Sequence, residues 1–119
     1  MFGEQRPVVL NGIEEIATRP DLVDGAVTLT LQPICPTNRK TESEFWSAFD
    51  DVHPSIHGGL LHAVAVGLRT VSTVQITALP RMADFAVWGT ACESALGLSP
   101  GEFLAAYTAN KAEASSATI

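Results

Sequence analysis

The stretch Thr41-Glu-Ser-Glu-Phe-Trp-Ser-Ala-Phe-Asp-Asp-Val52 decides where this chain becomes helical. Thr41 and Glu44 have the spacing of a capping box, in which the hydroxyl and the carboxylate each accept a hydrogen bond from the other residue's backbone N–H group. The apolar residues that follow recur at helical spacing and form one stripe: Phe45, Trp46, Phe49 and Val52. The sequence therefore predicts a helix that begins at Thr41.

Three further helices are predicted downstream. Pro54 suits the first turn of a helix, so we expect a second helix from residue 54 to residue 71. A third helix is expected to begin near Pro80 or Arg81 and to end at Gly97. Ser99-Pro-Gly-Glu102 is a second capping box and opens a fourth helix. Residues 37–119 are thus predicted to form a four-helix, lid-like bundle.

The pattern upstream of residue 37 is different. Residues 7–10 form an unbroken apolar run, and residues 26–31 alternate strictly and are rich in β-branched side chains. Both patterns are typical of strands. The predicted fold class is therefore mainly α, with a small two-strand β segment before the bundle (α+β). Two strands alone do not form a stable sheet, so residues 1–36 are interpreted as a strand-turn-strand remnant that requires partner strands.

Composition and charge limit the classes of function that are expected of this chain. The chain has 119 residues, of which 46% are hydrophobic, and a net charge of −6, which fits one small globular domain. Its seven Lys and Arg residues are scattered, and only Arg39 and Lys40 are adjacent. Because phosphate binding depends on clustered cations, direct nucleic-acid binding is not expected.

The cysteines and the hydropathy pattern predict a location. Cys35 and Cys92 lie far apart and form no C-x-x-C pair, which suits a reducing compartment. The N-terminus lacks the features of an export signal, and no run approaches the roughly 18 apolar residues of a membrane span. A cytoplasmic protein with no membrane contact is expected.

No complete catalytic site is visible in the sequence. A P-loop requires G-x-x-x-x-G-K-[ST], whose backbone amides hold phosphates, and that motif is missing. No hydrophobic strand ends in paired acidic residues that would hold Mg²⁺. Nucleotide hydrolysis by this chain alone is therefore not expected.

Three segments nevertheless carry a family resemblance. Arg6-Pro-Val-Val-Leu-Asn-Gly-Ile13, Ala17-Thr-Arg-Pro-Asp-Leu-Val-Asp24 and residues 26–31 together resemble the distal half of an AAA+-type P-loop ATPase core. The likeness is closest to ATP-binding, helicase-like proteins of phages and mobile elements. Leu79-Pro-Arg-Met-Ala-Asp-Phe-Ala86 is similar to the lid helix of that family. The resemblance implies a sensor strand and helical lid, with ATP and Mg²⁺ bound only where the missing P-loop half is present.

The resemblance also implies roles for three residues. Asn11 would be the first sensor, Arg81 the second sensor, and Arg19 the arginine that reaches a neighbouring subunit's nucleotide. Family members usually carry an arginine where this sequence has Gly25, which leaves Arg19 as the substitute. Simpler interpretations stay open: Asn11 as part of a turn, Arg81 as a surface residue paired with Asp84, and Arg19 as a surface arginine.

Three histidines could suggest a metal site. His57 and His62 are five residues apart, about 140° around a helix, so they do not share the face that paired ligands require. His53 precedes Pro54 and is expected at a helix cap. Surface positions are the favoured interpretation, and no metal is predicted.

Three functions follow as alternatives. The first is the nucleotide-sensing lid of a mobile-element ATPase, whose partners would be the missing ATPase core or copies of the same chain. The second is a stand-alone helical interaction module, in which Trp46, Trp88 and the phenylalanines are contact anchors. The third is a helix-turn-helix formed by the last two helices, which is disfavoured because only Asn110 and Lys111 would suit a DNA groove.

Overall fold

The computed structural model describes residues 6–13 and 19–117. Its elements, in chain order, are α1 (Pro20–Asp24), a 3-10 turn (Pro36–Asn38), α2 (Glu42–Thr70), a second 3-10 turn (Val71–Thr73), α3 (Ala83–Cys92) and α4 (Glu102–Ala117). Helix α2 packs against α3, α3 packs against α4, and α1 lies on α4. The architecture of these residues is helical.

The start of α2 confirms the predicted capping box. The backbone N–H of Thr41 donates to the Glu44 carboxylate at 2.9 Å, and the N–H of Glu44 donates to the Thr41 hydroxyl at 3.2 Å. The hydrogen bond from the Thr41 backbone lowers the pKa of Glu44. Negative charge in this first turn also interacts favourably with the helix dipole.

Pro54 does not open a new helix, so the predicted break between two helices was wrong. The single helix α2 runs through it from Glu42 to Thr70. An interior proline removes the hydrogen bond to the carbonyl four residues earlier, here that of Asp50, and its ring crowds that carbonyl, at a cost of about 3 kcal/mol. Asp50 is exposed, so water can bind its carbonyl, and the capped, continuous turns on either side keep the helix intact.

Small residues bring the helices close together. A Cβ atom on Gly67 would lie 2.6 Å from Cys92 Sγ and 2.8 Å from the Trp88 ring, so α3 packs directly against the backbone of α2. The Thr70 hydroxyl lies 2.8 Å from the Ala91 carbonyl oxygen, to which it can donate across the same interface. Glycine at residue 67 is therefore required by the packing.

Aromatic rings join α3 to α4. The Phe103 ring lies against Gly89, and Phe85 contacts Phe103 and Tyr107 at centroid distances of 5.7 and 5.3 Å. The buried residues of the described part of the chain are mostly small. Those with apolar side chains are Val23, Ala63, Val66, Ala86, Ala91, Cys92 and Tyr107.

The junction between α3 and α4 differs in part from the predicted boundaries. Regular α-helix ends at Cys92 rather than Gly97, and residues 93–97 form turns. Gly97 closes these turns with φ +75°, while the N–H of Leu98 donates to the Glu93 carbonyl, the geometry of a Schellman motif. The regular part of α3 is thus separated from α4 by residues 93–101, with the left-handed glycine of the cap at residue 97.

Buried Glu93 joins the end of α3 to the start of α4. Its carboxylate accepts hydrogen bonds from the N–H groups of Gly101 at 3.1 Å and Phe103 at 3.2 Å. These donors belong to the first turn of α4 and have no partner inside that helix. Glu93 therefore caps α4 from the end of α3, in addition to Glu102, which accepts from the Ser99 N–H at 2.7 Å.

The predicted two-strand β segment is absent, and the α+β class was wrong. Neither residues 7–10 nor residues 26–31 form a strand, and no strand occurs elsewhere in 6–13 or 19–117. β-propensity produces a strand only where a partner strand supplies the ladder of hydrogen bonds. Here Thr28 pairs its backbone with a side chain of α4 instead. The division of the chain at residue 36 stays a prediction.

Two glycine substitutions in α2 are expected to act in opposite directions. Gly67→Ala should lower the free energy of unfolding by about 1–3 kcal/mol, because the new methyl group must displace Trp88 and Cys92. Gly58→Ala should raise it by about 1 kcal/mol, because that position has open space and alanine favours a helix. Urea unfolding of both variants, followed by circular dichroism at low protein concentration, measures this; equal effects would contradict the close α2–α3 contact.

Candidate functional site

The N-terminal half of α2 carries a row of apolar side chains that other described residues cover only partly. We define the open stripe as Phe45, Phe49, Val52 and Ile56. Phe45 is 51% exposed, Val52 49% and Ile56 47%, and the adjacent Trp46 is 50% exposed. Side chains of this size normally lie in a core or an interface. The capped start of α2 and its unbroken helical period place them on one side of the helix.

Aromatic rings along this half of α2 hold one another in place. The Phe45 ring lies 5.2 Å from Trp46 and 6.4 Å from Phe49, measured between centroids. Phe49 lies 5.3 Å from the ring of His53, which in turn lies 6.3 Å from His57. Because these contacts restrict the side chains before any partner binds, less conformational entropy is lost on association.

The chain as a whole exposes a large surface. Its accessible area is 9997 Å², whereas a compact monomer of this mass exposes about 6200 Å². The excess of about 3800 Å² is several times what one partner contributes to a standard interface, about 800 Å². This surface includes the open stripe and the exposed apolar residues of the N-terminal third, such as Val9 and Leu31.

A second notable feature holds the N-terminal third against α4. The Lys111 ammonium donates to three backbone carbonyls, those of Val23 at 2.6 Å, Asp24 at 2.6 Å and Ala26 at 2.7 Å. It also lies 5.7 Å from the centre of the Tyr107 ring. The carbonyls at the end of α1 have no partner within the helix, and the negative end of the helix dipole favours a cation there. Lys111 therefore caps α1.

Asn110 attaches the next part of the N-terminal third to α4, at Thr28. Its side-chain oxygen accepts from the Thr28 N–H at 3.1 Å, and its side-chain NH₂ donates to the Thr28 carbonyl at 2.6 Å. The amide thus satisfies both backbone groups of Thr28, as an adjacent strand would. We call the contacts of Asn110 and Lys111 with residues 23–28 the α4 anchor.

Burial shifts the pKa values around the α4 anchor. Desolvation lowers the pKa of Lys111, and the nearby Asp24 carboxylate opposes that shift. Desolvation raises the pKa of Tyr107, and Asp24 adds to the effect. The Tyr107 hydroxyl is buried and has no hydrogen-bond partner among the described residues. Desolvation thus disfavours the charged form of both groups, whose roles here are packing and capping.

The three residues assigned to nucleotide sensing occupy different surroundings. Arg81 pairs with Asp24 at 2.9 Å, and Arg19 pairs with Asp21 at 3.1 Å. Asn11 is exposed. No hydrogen bond or ion pair joins Asn11, Arg19 and Arg81 to one another in the described ranges. Arg81 alone lies beside the α4 anchor, and its partner is Asp24 rather than the Asp84 expected from helical spacing.

The histidines and cysteines show no metal arrangement. His53, His57 and His62 are exposed, and no group of three or more His, Cys, Asp or Glu within 6–13 and 19–117 could hold an ion. Both cysteines are free. Burial raises the pKa of Cys92, whereas a hydrogen bond with the Thr37 side chain lowers that of exposed Cys35.

An open depression of about 670 Å³ lies where α2 begins. Its lining residues are Thr37, Asn38, Arg39, Lys40 and Glu44. It contains the adjacent cations noted in the sequence, but the Glu44 carboxylate is already engaged in the capping box. The depression is polar and shallow, unlike the enclosed apolar pockets that bind small molecules.

Sequence reasoning missed the polar residues that organise this structure. Glu93, Asn110 and Lys111 all act on backbone groups distant in sequence, at separations of 8 to 88 residues. For Glu93 the available signal was an acidic residue at the end of an apolar helix, shortly before the next cap. For Lys111 no local signal existed, because its acceptors lie in α1.

Taken together, these features define a small helical domain with a partly uncovered apolar helix. The described residues contain no helix with both the length and the apolar character needed to cross a membrane. The sequence profile of the actinomycete integrative conjugative element replication protein family matches residues 2–115. The chain belongs to that family, which links it to the replication of a mobile element. No curated protein and no solved structure matches it.

Loss of the Asn110 amide should release the segment that it holds. Asn110→Ala leaves the Thr28 N–H to water, so its amide hydrogen exchange should accelerate at least tenfold while the amides of α3 are unaffected. Asn38→Ala is the matched control, because Asn38 lies outside the α4 anchor. Amide hydrogen exchange of both variants is measured by NMR. Unchanged protection of the Thr28 amide in Asn110→Ala would contradict the proposed role of Asn110 in the α4 anchor.

Proposed function

We propose that this chain is a non-catalytic assembly module in the replication of an integrative conjugative element, and that the open stripe is its contact surface. The observation that carries the proposal is the half-exposed row of large apolar side chains on a well-formed helix. Family membership supplies the replication context. The exposed Trp46 supports an interaction module, whereas the half-buried Trp88 packs against Gly67 within the chain.

The open stripe offers enough apolar area to drive association. Fully burying one large apolar side chain contributes about 1.5–3 kcal/mol, and about half of each side chain is still exposed here. Phe45, Val52 and Ile56 of the open stripe, together with the adjacent Trp46, would then contribute on the order of 4 kcal/mol. Aromatic anchors of this kind dominate the energetics of interfaces.

Charge on the open stripe is expected to abolish replication without unfolding the domain. Val52→Lys places an ammonium in the centre of the surface, and Val52 is already half exposed, so the melting temperature should change by only about 2 °C. The copy number of the excised element, measured by quantitative PCR, should fall at least tenfold. Ser47→Lys, which adds the same charge on the other side of α2, is the matched control and should replicate normally.

The result would contradict the proposal if Val52→Lys and Ser47→Lys supported equal copy numbers. A loss in both variants would point to net charge rather than to this surface. Circular dichroism of each purified variant separates these outcomes from simple unfolding.

A second proposal is the nucleotide-sensing lid, with Asn11, Arg81 and Arg19 as sensing residues and ATP with Mg²⁺ held by a separate P-loop half. It is supported by the resemblance of the sequence to mobile-element ATPases and by the replication family. The Arg81–Asp24 ion pair is exposed, so a phosphate could compete for the guanidinium.

Under this second proposal, millimolar Mg·ATP should shift the NMR signals of Arg81 and Asn11 when the chain is mixed with the protein that supplies the P-loop half, and should leave them unchanged in the isolated chain. Arg81→Lys should weaken the shifts several-fold, because an ammonium lacks the bidentate fork. Arg39 is the internal control, as an exposed arginine outside the predicted sensors. Shifts at Arg39 equal to those at Arg81 would indicate unspecific phosphate binding and refute the sensor assignment.

A further inference from the structure

We propose that the occupant of the open stripe is the same stripe of a second copy, with the two α2 helices antiparallel. This inference rests on the proposed function and names its partner. It is carried by the spacing of apolar residues along α2, by the lack of charged side chains beside them, by a glycine on the seam that no contact among the described residues requires, and by the exposure of the stripe.

The open stripe continues a seam that is already packed in its other half. From Phe45 the positions advance by four and three residues in turn: Phe45, Phe49, Val52, Ile56, Gly59, Ala63, Val66 and Thr70. Alternating steps of four and three are the seam of paired helices. Ala63 and Val66 are buried, and Thr70 reaches α3, so α3 occupies the second half. The first half has the same pattern and no such partner among the described residues.

The residues that flank the open half are uncharged or histidine. The positions on either side of the seam are Trp46, Ala48, His53, Ser55 and Leu60. Flanking positions normally carry the charges that set which helix is accepted. Asp50 and Asp51 fall on the far side of α2, so a chain of net charge −6 can meet its own copy here without carboxylates facing each other.

Gly58 and Gly59 are the third observation. Each weakens a helix by about 1 kcal/mol relative to alanine, and a Cβ atom at either position would meet nothing within 4 Å. Gly67, by contrast, is filled by Trp88 and Cys92 of α3. Because small residues on a helix allow a second backbone to approach, we assign Gly59, which lies on the seam, to the contact with another chain.

Charge selects the antiparallel orientation. A parallel pair would place Glu42 and Glu44 beside the same residues of the copy, together with the positive ends of both helices. An antiparallel pair places Glu42 and Glu44 of one copy, and the positive end of its helix, far from those of the other copy. The register that stays within the uncovered half sets Phe49 opposite Val52 of the second copy, Phe45 opposite Ile56, and Glu42 opposite Gly59.

The available area fits this partner. The pairing overlaps residues 42–59 on each copy, a length of about 27 Å. A standard interface removes about 800 Å² from each partner, and the half-exposed side chains of Phe45, Val52 and Ile56 contribute to that area on each copy. A short seam of this kind is expected to give a dimer with a dissociation constant on the order of 10 µM.

Sedimentation equilibrium of the full chain tests the pairing. The wild-type chain should change from monomer to dimer between 1 and 200 µM, from about tenfold below to about twentyfold above the expected constant. Val52→Lys should be monomeric throughout, and Ser47→Lys should dimerise as the wild type does. Gly59→Ala should weaken dimerisation at least tenfold even though it favours the helix, which a merely structural role of the glycine would not predict.

Spin labels test the orientation. The exposed native thiol is removed by Cys35→Ser. A spin label is then attached to a single introduced cysteine, either Asp51→Cys or Ser43→Cys. In the antiparallel pair the two labels at residue 51 lie almost level along the axis, whereas those at residue 43 are offset by about 22 Å. A parallel pair would give no offset at either position and would overturn the proposed orientation.

The outcomes separate this inference from the proposed function. A wild-type chain that is monomeric at 200 µM, the upper limit of about twenty times the expected constant, overturns the second copy as occupant. If Val52→Lys still abolishes replication in that case, the contact surface stands and its partner is another protein. If the chain dimerises through α2 but replication is insensitive to Val52→Lys, the proposed function fails while the dimer stands.

Discussion

The close contact between α2 and α3 at Gly67 is the constraint on which the rest of the structure depends. It lets Trp88 and Cys92 lie directly on the backbone of α2, but α3 has only ten residues and is about 15 Å long. Helix α2 has 29 residues and a length of about 43 Å. The mismatch means that α3 covers the C-terminal half of α2 and leaves the other half bare, and this is why the candidate surface exists.

The remaining elements are held by polar contacts made at helix ends. Glu93 caps α4, Lys111 caps α1, and Asn110 supplies the pairing that Thr28 would otherwise need from a strand. Each of these side chains satisfies backbone groups that a helix end or an extended segment leaves without partners. The packed region is thus small, and a few side chains determine how the N-terminal third is attached.

Local patterns were predicted from the sequence, and contacts between distant segments were not. The capping box at Thr41 is confirmed, and Gly97 does close the turns after α3, because both depend on residues within a few positions. Residues 26–31 have the alternation of a strand, but the state of such a segment depends on its partner, here Asn110 in α4. Pro54 shows the same limit, since a proline can occupy the first turn of a helix or its interior. The open stripe was visible as helical spacing, yet only the structure shows which half is covered.

The small side chains of the packed region also determine how this domain responds to heat. No large side chain is fully buried in the described residues, and several of the buried residues are alanines. The heat capacity change of unfolding follows the apolar area newly exposed to water. A chain that already exposes so much of its apolar surface gains little more when it unfolds. Its stability curve is therefore flat, with a low enthalpy at the midpoint and a broad melting transition.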